Sequence, residues 1–150
     1  MAIVFLCSCA RSEGHIHPEG ISVANLNQAV QVIAPQAWNT FKLTEPVSLQ
    51  VANMSDKTIS FDKDFGSRIF RLDNKQWVEM KNTMTSLILG GGEEILMKTA
   101  TNNKYETRGY SIKLDFSEKT SKAEIRIYIF GKIVNTEEAV GAYIDVVLKP

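Results

Sequence analysis

Two histidines, His15 and His17, stand two residues apart with Glu13 and Glu19 beside them. In an extended segment that spacing puts both imidazoles on one face, which is how a metal site could begin. A transition metal needs three or four ligands held rigidly, with each histidine oriented by a second hydrogen bond. The surrounding stretch, Ala10 to Gly20, carries Gly, Pro and charge with almost no apolar content, so it offers no such support. We expect no metal there. Asp56, Asp62, Asp64 and Asp73 fall near the ends of apolar runs, where carboxylates can gather Ca²⁺. Asp62-x-Asp64 supplies only two such ligands, with Lys63 between them, and turn formation is the simpler role. Gly90-Gly91-Gly92 is followed by neither Lys-Ser nor Lys-Thr, so it reads as a permissive turn and not a phosphate loop. There is no Gly-x-Ser-x-Gly elbow, and no histidine follows His17. The body therefore lacks the usual general base near neutral pH, which argues against a Ser-His-Asp hydrolase. We expect no catalytic residue, no metal and no cofactor.

The remaining handle is aromatic. Trp38, Tyr105, Tyr128 and Tyr143 are the candidates for a binding surface, with a protein or a glycan as partner. Tyr128, Phe130 and Tyr143 fall on the faces opposite Ile127 and Ile144, so some of these rings can stand outside the core. The competing reading makes Trp77 and Tyr110 core residues, and Tyr128 and Tyr143 a cross-strand aromatic pair.

Strands must position these side chains. Val47, Leu49 and Val51 alternate with Ser48, Gln50 and Ala52, which is the period of a half-buried strand. Asn53-Met-Ser-Asp56 breaks the run with residues that hydrogen-bond their own backbone, and the alternation restarts at Ile59 and Phe61. Further alternating runs follow at Tyr110–Phe116, Ile125–Ile129 and Ala142–Leu148, and shorter ones near 30–34, 67–72, 75–80, 87–89 and 95–97. Gly131 to Gly141 is expected to join the last two strands as a long hairpin, and 99–107 to be a polar loop. No window sustains an apolar i, i+3, i+4, i+7 stripe. Short strands with turn signals between them point to two antiparallel sheets packed face to face.

At 150 residues the chain suffices for one domain with a real core. Seventeen basic and seventeen acidic residues cancel and are scattered, so the chain has no electrostatic footprint for nucleic acid and no basic patch for a membrane surface. Both cysteines, Cys7 and Cys9, lie at the N-terminus, so no disulfide staples the body.

Met1 to Cys9 is an apolar run ending in small residues, far too short to span a bilayer, which takes about 20 apolar residues. Leu6-Cys7-Ser8-Cys9 resembles the bacterial lipobox, whose cysteine becomes the lipidated first residue of the mature protein. The resemblance implies that 1–9 is a truncated signal peptide, that Cys9 carries the lipid, and that 10–27 is a flexible tether. It also implies a secreted, cell-envelope lipoprotein that meets the membrane only through its anchor. An ordinary apolar N-terminus with two incidental cysteines is the competing reading.

The order of strands, the Asn53-x-Ser55-Asp56 turn and the paired final strands resemble an immunoglobulin- or fibronectin-III-like domain over about residues 28–149. The Cys…Trp…Cys core of antibody-type domains is missing. A looser similarity is to BsuPI-type proteinase-inhibitor domains. The resemblance implies an all-β, antiparallel immunoglobulin-like β-sandwich over 28–150, with two sheets and about seven to nine strands. It further implies a non-enzymatic interaction module, with a carbohydrate-binding module or a proteinase inhibitor acting through 99–107 as alternatives.

Overall fold

A computed structural model describes residues 17–80, 84–87, 94–99, 104–117 and 119–150. Among them are eleven strands: β1 Val30–Ile33, β2 Thr40–Lys42, β3 Val47–Asn53, β4 Ile59–Asp62, β5 Arg68–Asp73, β6 Gln76–Glu79, β7 Met84–Leu87, β8 Glu94–Met97, β9 Thr107–Leu114, β10 Ala123–Ile133 and β11 Ala139–Lys149. They form two sheets. The smaller runs β1-β3-β9-β7. The larger runs β2-β11-β10, after which β10 pairs with β5 along Ile125–Tyr128 and with β4 along Gly131–Ile133. β6 then extends β5, and β8 extends β4. The protein is an all-β immunoglobulin-like sandwich.

The alternating residues do what their period requires. Val47, Leu49 and Val51 on β3, Ile59 and Phe61 on β4, Ile112 and Leu114 on β9, Ile125 and Ile127 on β10, and Ile144 and Val146 on β11 are all buried between the sheets. Gln50 and Ser48 face outward on the smaller sheet. Asp62 to Gly66 is the expected turn, but it folds as a 3-10 turn over Lys63–Gly66 that drives Phe65 into the core. The Phe65 ring meets Phe61 and Tyr110 edge-on, with centroids 5.2 and 5.5 Å apart.

Several expectations are corrected. There are more strands than about seven to nine, because short pieces such as β2 and β6 add to the main ones. One pair, β2 with β11, is parallel. The stretch Gly131 to Gly141 does join the last two strands as a hairpin, but a tighter one than expected, since pairing continues to Lys132 opposite Ala139. Residues 17–27, expected as the second half of a tether, lie against the sandwich. Their polar groups find partners there instead of water: Asn27 N–H donates to Gly141 O at 3.0 Å, and its side-chain oxygen accepts from Tyr143 N–H at 2.8 Å. Asn39 Nδ2 donates to Asp145 O at 3.1 Å, and Leu43 N–H to Lys149 O at 2.7 Å. Two asparagines and β2 thus occupy the β11 edge, whose strand groups would otherwise invite another chain.

Tyr110 on β9 reaches across the core to the residue before β5, its hydroxyl donating to Ser67 Oγ at 2.6 Å. Burial raises its pKa from 10.0 to about 12, against the opposing pull of the Ser67 hydrogen bond. The folded chain therefore holds this proton where the unfolded chain releases it. Stability is full below pH 10 and falls as pH rises towards 12, by about 2–3 kcal/mol for this group. Denaturant unfolding measured at intervals over that range should show the fall. Tyr128, whose pKa burial also raises, contributes in the same direction, so Tyr110→Phe should make the fall shallower without abolishing it.

Candidate functional site

The outward face of the larger sheet is where sequence alternation calls for polar residues and the structure shows a second packed layer. On β10 the outward residues are Arg126, Tyr128 and Phe130, and opposite them on β11 stand Asp145, Tyr143 and Gly141. Arg126 donates from Nε and Nη2 to the two carboxylate oxygens of Asp145 at 2.6 and 2.8 Å. Its guanidinium also lies 4.4 Å from the centroid of the Trp77 ring and 4.9 Å from that of Tyr143. Burial would lower the Arg126 pKa, but the hydrogen bond and charge of Asp145 outweigh it and the net shift is upward. A forked, planar cation is the residue type that satisfies a carboxylate and aromatic faces together.

The layer continues along β10. Tyr128 and Tyr143 form the cross-strand pair, with centroids 5.5 Å apart, and Phe130 stacks on Tyr128 at 5.7 Å. Phe70 on β5 meets Tyr128 edge-on. His17 caps the pair: its Nδ1 is 2.6 Å from the Tyr128 hydroxyl, and its ring lies edge-on to Tyr143 at 5.1 Å. Arg68 on β5 makes a two-point pair with Glu79 on β6 at 2.8 and 3.0 Å, which raises the Arg68 pKa.

Beside this layer opens a groove of about 710 Å³. Its floor is the outward side of β10, β4 and β8, where Phe130, Lys132, Ser60, Asp62 and Glu94 line it. The segment Gly20 to Val23 borders it on one side, and the β10–β11 turn, through Val134, Asn135 and Glu137, on another. Gly131 makes the close approach of β10 to β4 possible: a Cβ there would lie 2.7 Å from the Phe61 ring and 2.8 Å from Ser60 O. The strands place Asp62 directly opposite Glu94. Such like-charge cross-strand pairs destabilise a sheet by about 0.2–1 kcal/mol.

The four aromatic residues singled out from sequence do not share one surface. Trp38 is 94% exposed and sits at φ 59° in the 3-10 turn Ala37–Asn39, beside the β2 edge of the larger sheet. Tyr105 is exposed but belongs to the approach to β9 in the smaller sheet. Tyr143 is half-buried under His17. Tyr128 is 0% exposed, which removes it from any binding surface: it lies outside the main core, as alternation says, but His17, Phe70, Phe130 and Tyr143 cover it. Asp56 and Asp62 lie at opposite ends of β4. Among the described residues no group of three or more His, Cys, Asp or Glu is placed to hold a metal. Cys9, Cys7, His15, Gly90–Gly92 and the centre of the 99–107 loop lie outside the described residues. Among the described residues no helix is long and apolar enough to cross a membrane.

The groove residues were missed because nothing near Asp62 in sequence announces Glu94, and only the register of β4 with β8 joins them. No family model matches the sequence, and no curated protein matches it. One similar solved structure is the ASH/PapD-like domain of human CEP192, its PapD-like domain 7. It is 7% identical, with a TM-score of 0.48 over 89% of this chain and 96% of that one.

The stacked guanidinium gives a direct test. Arg126→Lys keeps the charge but loses the fork and the planar contact with both rings, and should cost about 1–3 kcal/mol in urea unfolding. Lys122→Ala, which breaks an exposed pair with Glu124, should stay within about 0.5 kcal/mol.

Proposed function

We propose that the protein is a non-enzymatic binding module of the bacterial cell envelope, held to a membrane by a lipid on Cys9, and that it binds a protein segment in the groove on its larger sheet. The observation that carries the binding reading is the groove itself: an open concavity on rigid strands, with one aromatic ring, Phe130, on its floor and polar groups converging on it. Sites built on strands hold their geometry better than sites on loops. The Leu6-Cys7-Ser8-Cys9 stretch supports the anchor. Two or more acyl chains, at about 0.8 kcal/mol per buried CH₂, hold a protein stably at a membrane where one chain does not. A glycan partner is the second reading, favoured by the exposed Trp38 ring, which offers a flat apolar face.

Expression in a bacterial host with an intact secretion leader should place the protein in the membrane fraction with Cys9 as its modified first residue. Cys9→Ala should release it or leave its leader uncleaved, and an unmodified Cys9 in a soluble native protein would remove the anchor. A photoreactive residue replacing Ser60 should cross-link to an envelope protein in cells, and one replacing Gln50 on the other sheet should not. The reverse pattern would move the site away from the groove, and loss of glycan-array binding on Trp38→Ala would favour the second reading.

A further inference from the structure

We infer that the groove selects an extended segment presenting an arginine or lysine side chain, which Asp62 and Glu94 hold as a carboxylate pair while Phe130 contacts its stem. The inference deepens the binding reading and rests on it. Its first support is the charge arrangement. Of the two cations lining the groove, Arg68 is held by its two-point pair with Glu79, and Lys132 points to Glu137 in an exposed pair on the β10–β11 turn. Asp62 and Glu94 face each other across the β4–β8 ladder with no basic partner among the described residues. Glu94 accepts a hydrogen bond from Ser60 Oγ at 2.6 Å, which orients that carboxylate towards the groove floor. Asp62 begins the 3-10 turn Lys63–Gly66, yet its side chain makes no capping hydrogen bond to it.

The second support is position. Gly131 pairs with Phe61, so Phe130 continues the outward row that holds Asp62 and Glu94. A half-buried ring next to two carboxylates suits a basic side chain, whose methylene stem packs on apolar surface while its head seeks anions. Two carboxylates are too few for a calcium site, which takes six to eight oxygens. A like-charge pair in a ladder is relieved when a cation enters between its members.

The test uses two blocked heptapeptides of serine and valine, identical except for a central arginine in one and its neutral isostere citrulline in the other. Both are titrated into ¹⁵N-labelled protein at low salt. The arginine peptide should shift the Asp62, Glu94 and Phe130 amides and bind at least about tenfold more tightly than the citrulline peptide. That preference should shrink with added salt and vanish in the double variant Asp62→Asn, Glu94→Gln. The double variant should also melt no lower than the parent, since it removes a repulsion. Equal binding of both peptides at the groove would overturn the charge selection and leave the groove as a binding site. Absence of either peptide from the groove would overturn both readings, and a markedly lower melting temperature of the double variant would make the carboxylates structural.

Discussion

The side chain of Asn53 ties the two sheets together at the point where the chain leaves one for the other. It is fully buried, at the end of β3 in the smaller sheet. Its amide nitrogen reaches Lys57 O at 2.8 Å, Lys98 O at 3.0 Å and Met97 O at 3.1 Å, and the last two belong to β8 of the larger sheet and the residue after it. Its oxygen accepts from Ser55 N–H and Ser55 Oγ at 2.9 and 2.7 Å, which fixes the turn into β4. Glu106, whose carbonyl accepts from Asn53 N–H, binds the Lys98 N–H with its carboxylate, and that hydrogen bond helps to hold its pKa below the ordinary value against burial. A buried polar group with every partner in place specifies one arrangement, because any other leaves carbonyls without donors.

That lock reaches the groove. β8 pairs with β4 from Ile59 opposite Met97 to Asp62 opposite Glu94, so holding Met97 and Lys98 at one end sets the register at the other. A shift of one residue would turn Glu94 inward and Ile95 outward. The opposite half of the same face is fixed differently, by Arg126 between two rings and by residues 17–27 folded over Tyr128 and Tyr143. The face therefore divides into a covered aromatic layer, which contributes to stability, and an uncovered polar groove, which keeps a repulsive pair. Arrangements that cost stability without an internal return are where function is found in a folded chain.

The main core was legible because it depends on a local period. Val47 to Val51, Tyr110 to Leu114 and Ala142 to Leu148 each declare their inward face within a few residues. The Tyr128–Tyr143 pair was legible for the same reason, since two long strands joined in sequence settle their mutual register. Tyr128 burial was not, because it requires His17, more than a hundred positions away, to fold back over the sheet. The polar composition of 10–20 suggests a tether running on to residue 27 as long as only its lack of apolar residues is counted. Asn27 shows that a side-chain amide can replace a strand residue at an edge. The parallel docking of β2 and the meeting of Asp62 with Glu94 are likewise set by long-range pairing, on which alternation is silent.

The measurement that bears most directly on this account is the unfolding free energy of Asn53→Ala, taken from urea titration at neutral pH. Deleting the amide takes the donor from the buried carbonyl of Met97 and the part-buried carbonyl of Lys98, and the acceptor from the part-buried Ser55 N–H. The expected loss is about 3 kcal/mol or more. A loss under about 0.5 kcal/mol, the range of an ordinary surface substitution, would show that the sheets and the groove keep their register without Asn53 and would contradict the account.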